Sequence, residues 1–152
     1  MKRILLLGLW MIAMASQAVA FQSPPQNLAA ITPPIEKVLK LKIEPVIPGK
    51  PCINDDTYCD VYAGHIQIQT LGKGVVNLMT TSQEPHSRYR LACAAAFAGL
   101  SGSAQAFAEE IMAEAFNSAA SQGAFKADVA GVEVSVRPAL SSDLLACRFF
   151  RY

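Results

Sequence analysis

Hydrolysis and group transfer need a nucleophile, a base and a charge-stabilising group held together, and few side chains in this sequence could supply them. There are two histidines among 152 residues. His65 falls on the polar side of an expected strand and His86 follows Pro85 in an expected loop, both places for a solvated imidazole. Asn54, Asp55, Asp56 and Asp60 cluster near Cys59 and offer oxygen ligands to a cation, but the alternating D-x-D-x-D-G pattern of a calcium loop is absent. Turn formation by Asn and Asp accounts for them more simply. Glu109, Glu110 and Glu114 lie on the polar side of an amphipathic helix, as a solvated acidic face does. Ser101-Gly102-Ser103 lacks the G-x-S-x-G frame of a nucleophile elbow, and the glycines at 72, 74, 99 and 102 lack the context and the lysine of a phosphate loop. No cofactor and no metal is expected. The only acidic and basic set that could serve a small hydrolase is Asp55, Asp56, Asp60 and His65.

The four cysteines, Cys52, Cys59, Cys93 and Cys147, carry a different chemistry. Their spacing has none of the paired C-x₂₋₄-C units of structural zinc. The sequence before them explains their number: Lys2-Arg3, an apolar run from Ile4 to Ala15 and the small-x-small triplet Ala18-Val19-Ala20 have the form of a bacterial export signal cleaved after Ala20. The apolar run is shorter than the roughly 20 residues that span a bilayer. In the periplasm, or outside the cell, the cysteines can oxidise to two bridges. Cys52 with Cys59 would close a local turn-rich loop, leaving Cys93 with Cys147 to join a helix to the last strand. On the chain-entropy model the short loop contributes about 2–3 kcal/mol and the long one about 4 kcal/mol.

The elements that position these groups follow from periodicity. Residues 21–36, rich in Pro, Gln, Asn and Ala with Pro24-Pro25 and Pro33-Pro34, read as an extended, flexible arm, and 37–152 as a single domain. Leu39, Leu41 and Ile43 alternate with Lys40, Lys42 and Glu44, a half-buried strand. Ile66 and Ile68 alternate with Gln67 and Gln69, and after the turn at Gly72 and Gly74 a second strand runs from Val75 to Thr81. Ser87 could cap a helix from Arg88 toward Ala98 with Gly99 as its stop. A second helix shows an apolar stripe of Ala104, Phe107, Ala108, Ile111, Met112, Ala115, Phe116 and Ala119, with Ser101 or Ser103 before it and Gly123 after it. Val132, Val134 and Val136 mark a strand ended by Pro138, and Leu144 to Arg151 a final one. The expected fold is α+β: an antiparallel sheet of about four to five strands with two helices on one face, in the order β-ββ-αα-ββ.

A bridge between Cys93 and Cys147 would turn Leu145, Cys147 and Phe149 toward the helices. Period two then places Arg148, Phe150 and Tyr152 on the opposite face, beside Arg137, Glu133, Gln67 and Gln69. Arg and Tyr are enriched where partners bind; the competing expectation is that the arm or the first strand covers these rings. Without Lys2 and Arg3 the chain carries 11 basic and 12 acidic side chains, too balanced for nucleic-acid binding. The sequence thus suggests a small, non-catalytic periplasmic or secreted binding protein, an adaptor, inhibitor or immunity-type factor, with a protein partner in the envelope and Arg137, Arg148, Phe150 and Tyr152 as its binding residues. A small envelope hydrolase, or a component of a secretion or pilus assembly docked by its arm, are the alternatives.

Overall fold

The structure, a computed structural model, describes residues 26–50, 52–53, 58–72, 74–80, 83–138 and 145–152. The expected export signal, residues 21–25 of the expected arm, and Asp55 and Asp56 lie outside them. The described chain folds as mixed α+β with one antiparallel sheet backed by a layer of helices.

The first element corrects the sequence reading. Residues Gln26–Leu39 form helix α1 with both Pro33 and Pro34 inside it, where an extended arm and the start of a strand were expected. Leu28, Ile31, Ile35 and Leu39 recur at three and four residue spacing and are all buried, each worth about 1.5–3 kcal/mol. Against that, each interior proline costs about 3 kcal/mol. Pro33 is exposed and Pro34 half-buried, so the rings stay off the buried stripe. Leu39 is the last rung of that stripe, which is why the expected strand does not begin there. Lys40 then takes a positive φ of 54°, and Glu36 draws the chain back, its carboxylate accepting from the Ile43 amide (3.0 Å) and from Lys42 Nζ (2.8 Å). These contacts, the Lys42 hydrogen bond foremost, hold the Glu36 carboxyl below its usual pKa. Only Glu44–Pro45 remains as a short strand, β1.

Cys52–Ile53 (β2) and Tyr58–Ala63 (β3) follow, β3 being a strand that the sequence reading left as loop. Cys59, Val61 and Ala63 are buried and Tyr58, Asp60 and Tyr62 are not. Ile66–Leu71 (β4) and Val75–Thr80 (β5) form the expected hairpin. Helix α2 spans His86–Ser101, starting earlier and ending later than expected. Pro85 rather than Ser87 precedes it, no side chain caps it, and Gly102 rather than Gly99 ends it. Helix α3 spans Gln105–Gln122 after an uncapped start at Ala104, with Gly123 as its expected stop. A second unexpected strand, Phe125–Val129 (β6), makes a hairpin with Val132–Pro138 (β7), and Leu145–Arg151 (β8) closes the chain.

The sheet order is β1-β3-β4-β5-β8-β7-β6, with β2 also pairing with β3. The C-terminal strand is therefore central, joining the β3-β4-β5 meander to the β6-β7 hairpin. Helix α2 is the middle helix: α1 and α3 flank it, it crosses β7 and β8, α3 lies over β6 and β7, and α1 reaches β3. Cys93 to Ala98 are buried without a break, because a helix enclosed on several sides has no solvent stripe. Its small residues let α1 come close, and at Gly99 a Cβ would collide with the Ala30 carbonyl. That carbonyl is the one Pro34 cannot serve, having no N–H. Gly99 therefore sits inside the helix as a packing position, which overrides its value as a stop signal.

Disulfides join Cys52 to Cys59 and Cys93 to Cys147, the expected pairing. Cys52 and Cys59 face each other across the β2–β3 ladder. At Cys147 a second rivet lies beside the bridge. Tyr89, one turn before Cys93, is buried; its hydroxyl donates to the Leu78 carbonyl (2.8 Å) and accepts from the Cys147 amide (2.9 Å). Leu78 and Cys147 are opposite one another on β5 and β8, so one phenol ties the two strands at the rung where α2 is also covalently attached. Burial pushes that phenol well above the ordinary tyrosine range.

Candidate functional site

The helices occupy one face of the sheet, and the period-two geometry of the strands sends the alternate residues to the other. On the helix side Ile68, Val76, Val134, Cys147 and Phe149 are fully buried. On the far side every described residue of β3 to β8 is half-buried or exposed, and no described helix lies over it. The pairing register arranges this face in rows that cross the strands. One row is polar: Asp60, Gln69, Asn77, Arg148, Ser135 and Lys126, from β3 through to β6. The next is richer in carbon: Tyr58, Leu71, Val75, Phe150, Glu133 and Asp128. A third begins with Tyr62, Gln67 and Met79.

All four residues expected to bind lie on this face. Arg148 and Phe150 are in the middle of it, between Asn77 and Ser135 and between Val75 and Glu133. Arg137 is diagonal to Arg148, opposite Ala146. Tyr152 is 78% exposed and its ring meets Phe150 edge-on with centroids 4.9 Å apart. Gln67 and Gln69 share the face but stand two strands away from β8. Helix α1, which holds most of the expected arm, packs on the opposite side of the sheet, so it does not cover the rings.

Two hydrogen-bonded groups organise the face. On β3 and β4, Gln67 Nε2 donates to both Asp60 oxygens (3.0 and 3.1 Å), Gln69 Nε2 donates to the Tyr58 hydroxyl (2.9 Å), and that hydroxyl donates to Asp60 Oδ2 (3.2 Å). Partial burial, then the Asp60 charge, raises the Tyr58 pKa. At the other end the Tyr152 hydroxyl lies 3.3 Å from Asp128 Oδ1 and 3.5 Å from Glu133 Oε2, and Lys126 pairs with Glu133 at 2.9 Å. Loss of solvation and then the two carboxylates raise the Tyr152 pKa, and the hydrogen bond to Glu133 raises that of Lys126. Between the two groups Arg148 has no carboxylate partner among the described residues. The face offers guanidinium, amide and phenol donors beside aromatic rings, a chemistry of recognition.

The acidic set read as a possible catalytic group is not assembled by the described residues. Asp60 is engaged by Gln67 and Tyr58, and His65 sits in the β3–β4 turn, four residues beyond the Asp60 rung, about 13 Å along the strand. Its backbone N–H donates to Glu84 (3.3 Å). Among the described residues no three of His, Cys, Asp and Glu group as metal donors, and no described helix is long and apolar enough to cross a membrane. No family model, no curated protein and no solved structure matches this chain.

Sequence reasoning missed Tyr58, Tyr62, Asn77 and Met79 as members of the face. The signal existed in β5, where Asn77 and Met79 alternate with Val76 and Leu78. What period two alone does not say is which strand β5 pairs with, and its neighbour β8 comes about seventy residues later.

Proposed function

We propose that the chain is a small exported binding protein without catalysis of its own, which recognises another macromolecule of the cell envelope through the open sheet face centred on β8. One observation carries the reading: Arg148 and Phe150 lie on the central strand β8 on the side away from the helices, and Tyr152, just past its end, packs its ring against Phe150. Covering that face would desolvate the aromatic pair and give Arg148 acceptors to meet, the pattern of a binding hot spot. Two disulfides fit an oxidising compartment, and the leader-like first twenty residues supply the route there.

The experiment is capture from envelope extract by the immobilised, oxidised chain. The double variant Arg148→Ala/Tyr152→Ala is expected to lose the captured species while keeping its melting temperature, since both side chains are exposed. Phe107→Ala, on α3 and 42% exposed, is the control on the opposite side and keeps capture. Equal capture by wild type and the double variant removes the face from the argument.

A further inference from the structure

The two ends of the sheet are treated differently. At the β3 side, pairing stops at very short strands, with Pro45 in β1 and a disulfide clamping β2. Prolines and short strands are common means of keeping an edge from recruiting another chain. At the other side β6 is five residues long, Phe-Lys-Ala-Asp-Val, without proline, and no described strand pairs with its free side. Its charges, Lys126 and Asp128, could be read as ordinary edge protection. Their placement suggests otherwise.

Strand β6 joins β7 through Ala130 and Gly131, whose φ values of 49° and 76° are those of a two-residue type I′ turn. In such a hairpin the closing pair, Val129 and Val132, exchanges its hydrogen bonds. By alternation Phe125 and Ala127 also bond inward to β7. The amides and carbonyls that face outward are then those of Lys126 and Asp128. Two copies of this edge can pair antiparallel about a twofold axis at Ala127. In that register Lys126 of each copy stands opposite Asp128 of the other, both on the outer face, and Phe125 stands opposite Val129 on the helix side. Moving the axis to residue 126 or 128 puts like charges opposite one another, so only the Ala127 register combines outward-facing backbone groups with opposite charges.

From this self-complementarity we propose that the occupant of the β6 edge is a second copy of this chain, joined β6 to β6 about Ala127 in one continuous antiparallel sheet. Such a contact is isologous and closes on itself. It sets the open faces of two protomers side by side, and it does not depend on what those faces bind.

The test uses the purified, disulfide-bonded chain in sedimentation equilibrium from low micromolar to millimolar concentration. Wild type is expected to approach twice the monomer mass, with Lys126 and Asp128 amides gaining hydrogen-exchange protection as concentration rises. Lys126→Asp and Asp128→Lys are each expected to weaken self-association about tenfold or more, because two attractive pairs become repulsive. An equimolar mixture of the two variants restores opposite charges at every contact and is expected to form the heterodimer. Circular dichroism of each variant separates a lost contact from a lost fold. A wild type that stays monomeric throughout overturns the proposal, as does a dimer indifferent to both reversals. A mixture that fails to associate overturns the Ala127 register.

Discussion

Substituting Tyr89 by Phe removes one oxygen from the centre of the molecule and leaves the ring against Phe116, with centroids 5.8 Å apart. Lost with it are the hydrogen bond given to the Leu78 carbonyl and the one taken from the Cys147 amide. Each buried backbone group left unserved costs about 1–3 kcal/mol, offset in part because the phenol oxygen no longer has to be desolvated. The net expectation is a loss of about 3 kcal/mol. For a domain of about 125 residues, with unfolding entropy near 2.1 cal/mol/K per residue, that lowers Tm by about 12 °C. A second assay isolates the proton. An unfolded tyrosine ionises near 10 and burial raises the folded value, so the stabilisation is complete below pH 10 and is lost as pH rises above it. The wild-type advantage over Tyr89→Phe should therefore shrink above pH 10 by up to about 1.4 kcal/mol per unit, with the variant serving as baseline for every other tyrosine. A variant within about 1 kcal/mol of wild type would mean that β5 and β8 close on each other without the phenol, refuting its role as the tie.

Three further variants probe the same framework. Replacing Cys93 and Cys147 together by Ala frees a loop with a sequence separation of 54 and should cost about 4 kcal/mol, against about 2.5 kcal/mol for the Cys52/Cys59 pair; urea unfolding checks the order, and equal losses would show that loop length does not govern it. Gly99→Ala would gain about 1 kcal/mol of helix propensity on an exposed helix, but here the added methyl meets the Ala30 carbonyl, so a net loss of about 1–3 kcal/mol is expected. A rise in Tm would show that α1 and α2 are not in close contact at this position.

The sequence was most legible where period and burial agreed. The β4–β5 hairpin, the α3 stripe from Ala108 to Ala119, the valines of β7 and the inward and outward sides of β8 could all be read from alternation or from helical spacing, whereas Ala104 and Phe107, expected in that stripe, are exposed. It misled where one strong local signal hid a weaker regular one. Pro33-Pro34 concealed the spacing of Leu28, Ile31, Ile35 and Leu39, whose burial against α2 overrides the prolines. Gly99 looked like a stop because its reason for being glycine lies on another helix. Strand β3 went unread because its inward residues are Cys59, Val61 and Ala63 and its outward ones include two tyrosines, so ordinary hydropathy does not alternate. Strand β6 is short and its central inward residue is only Ala127. The four residues expected to bind do share one face, yet the rest of that face depends on β8 pairing with β5, a long-range choice that no local pattern records.

The position of β8 gives the candidate site its physical character. Arg148, Phe150 and Tyr152 lie beside Asn77, Val75 and Glu133 only when the C-terminal strand has entered between β5 and β7, so the site does not exist on any isolated hairpin. Entry of that strand is fixed at Cys147, where α2 supplies both a covalent bond from Cys93 and, one turn earlier, the hydroxyl of Tyr89. The neighbouring outward residue is Arg148. Oxidation of the long bridge and alignment of Arg148, Phe150 and Tyr152 thus both follow from the contact between α2 and β8. A strand held from the helix side, by the bridge at Cys147 and by Phe149 against Phe97, leaves its opposite face free of structural duty, which is why charged and aromatic residues can occupy the middle of this sheet without a described element packed over them.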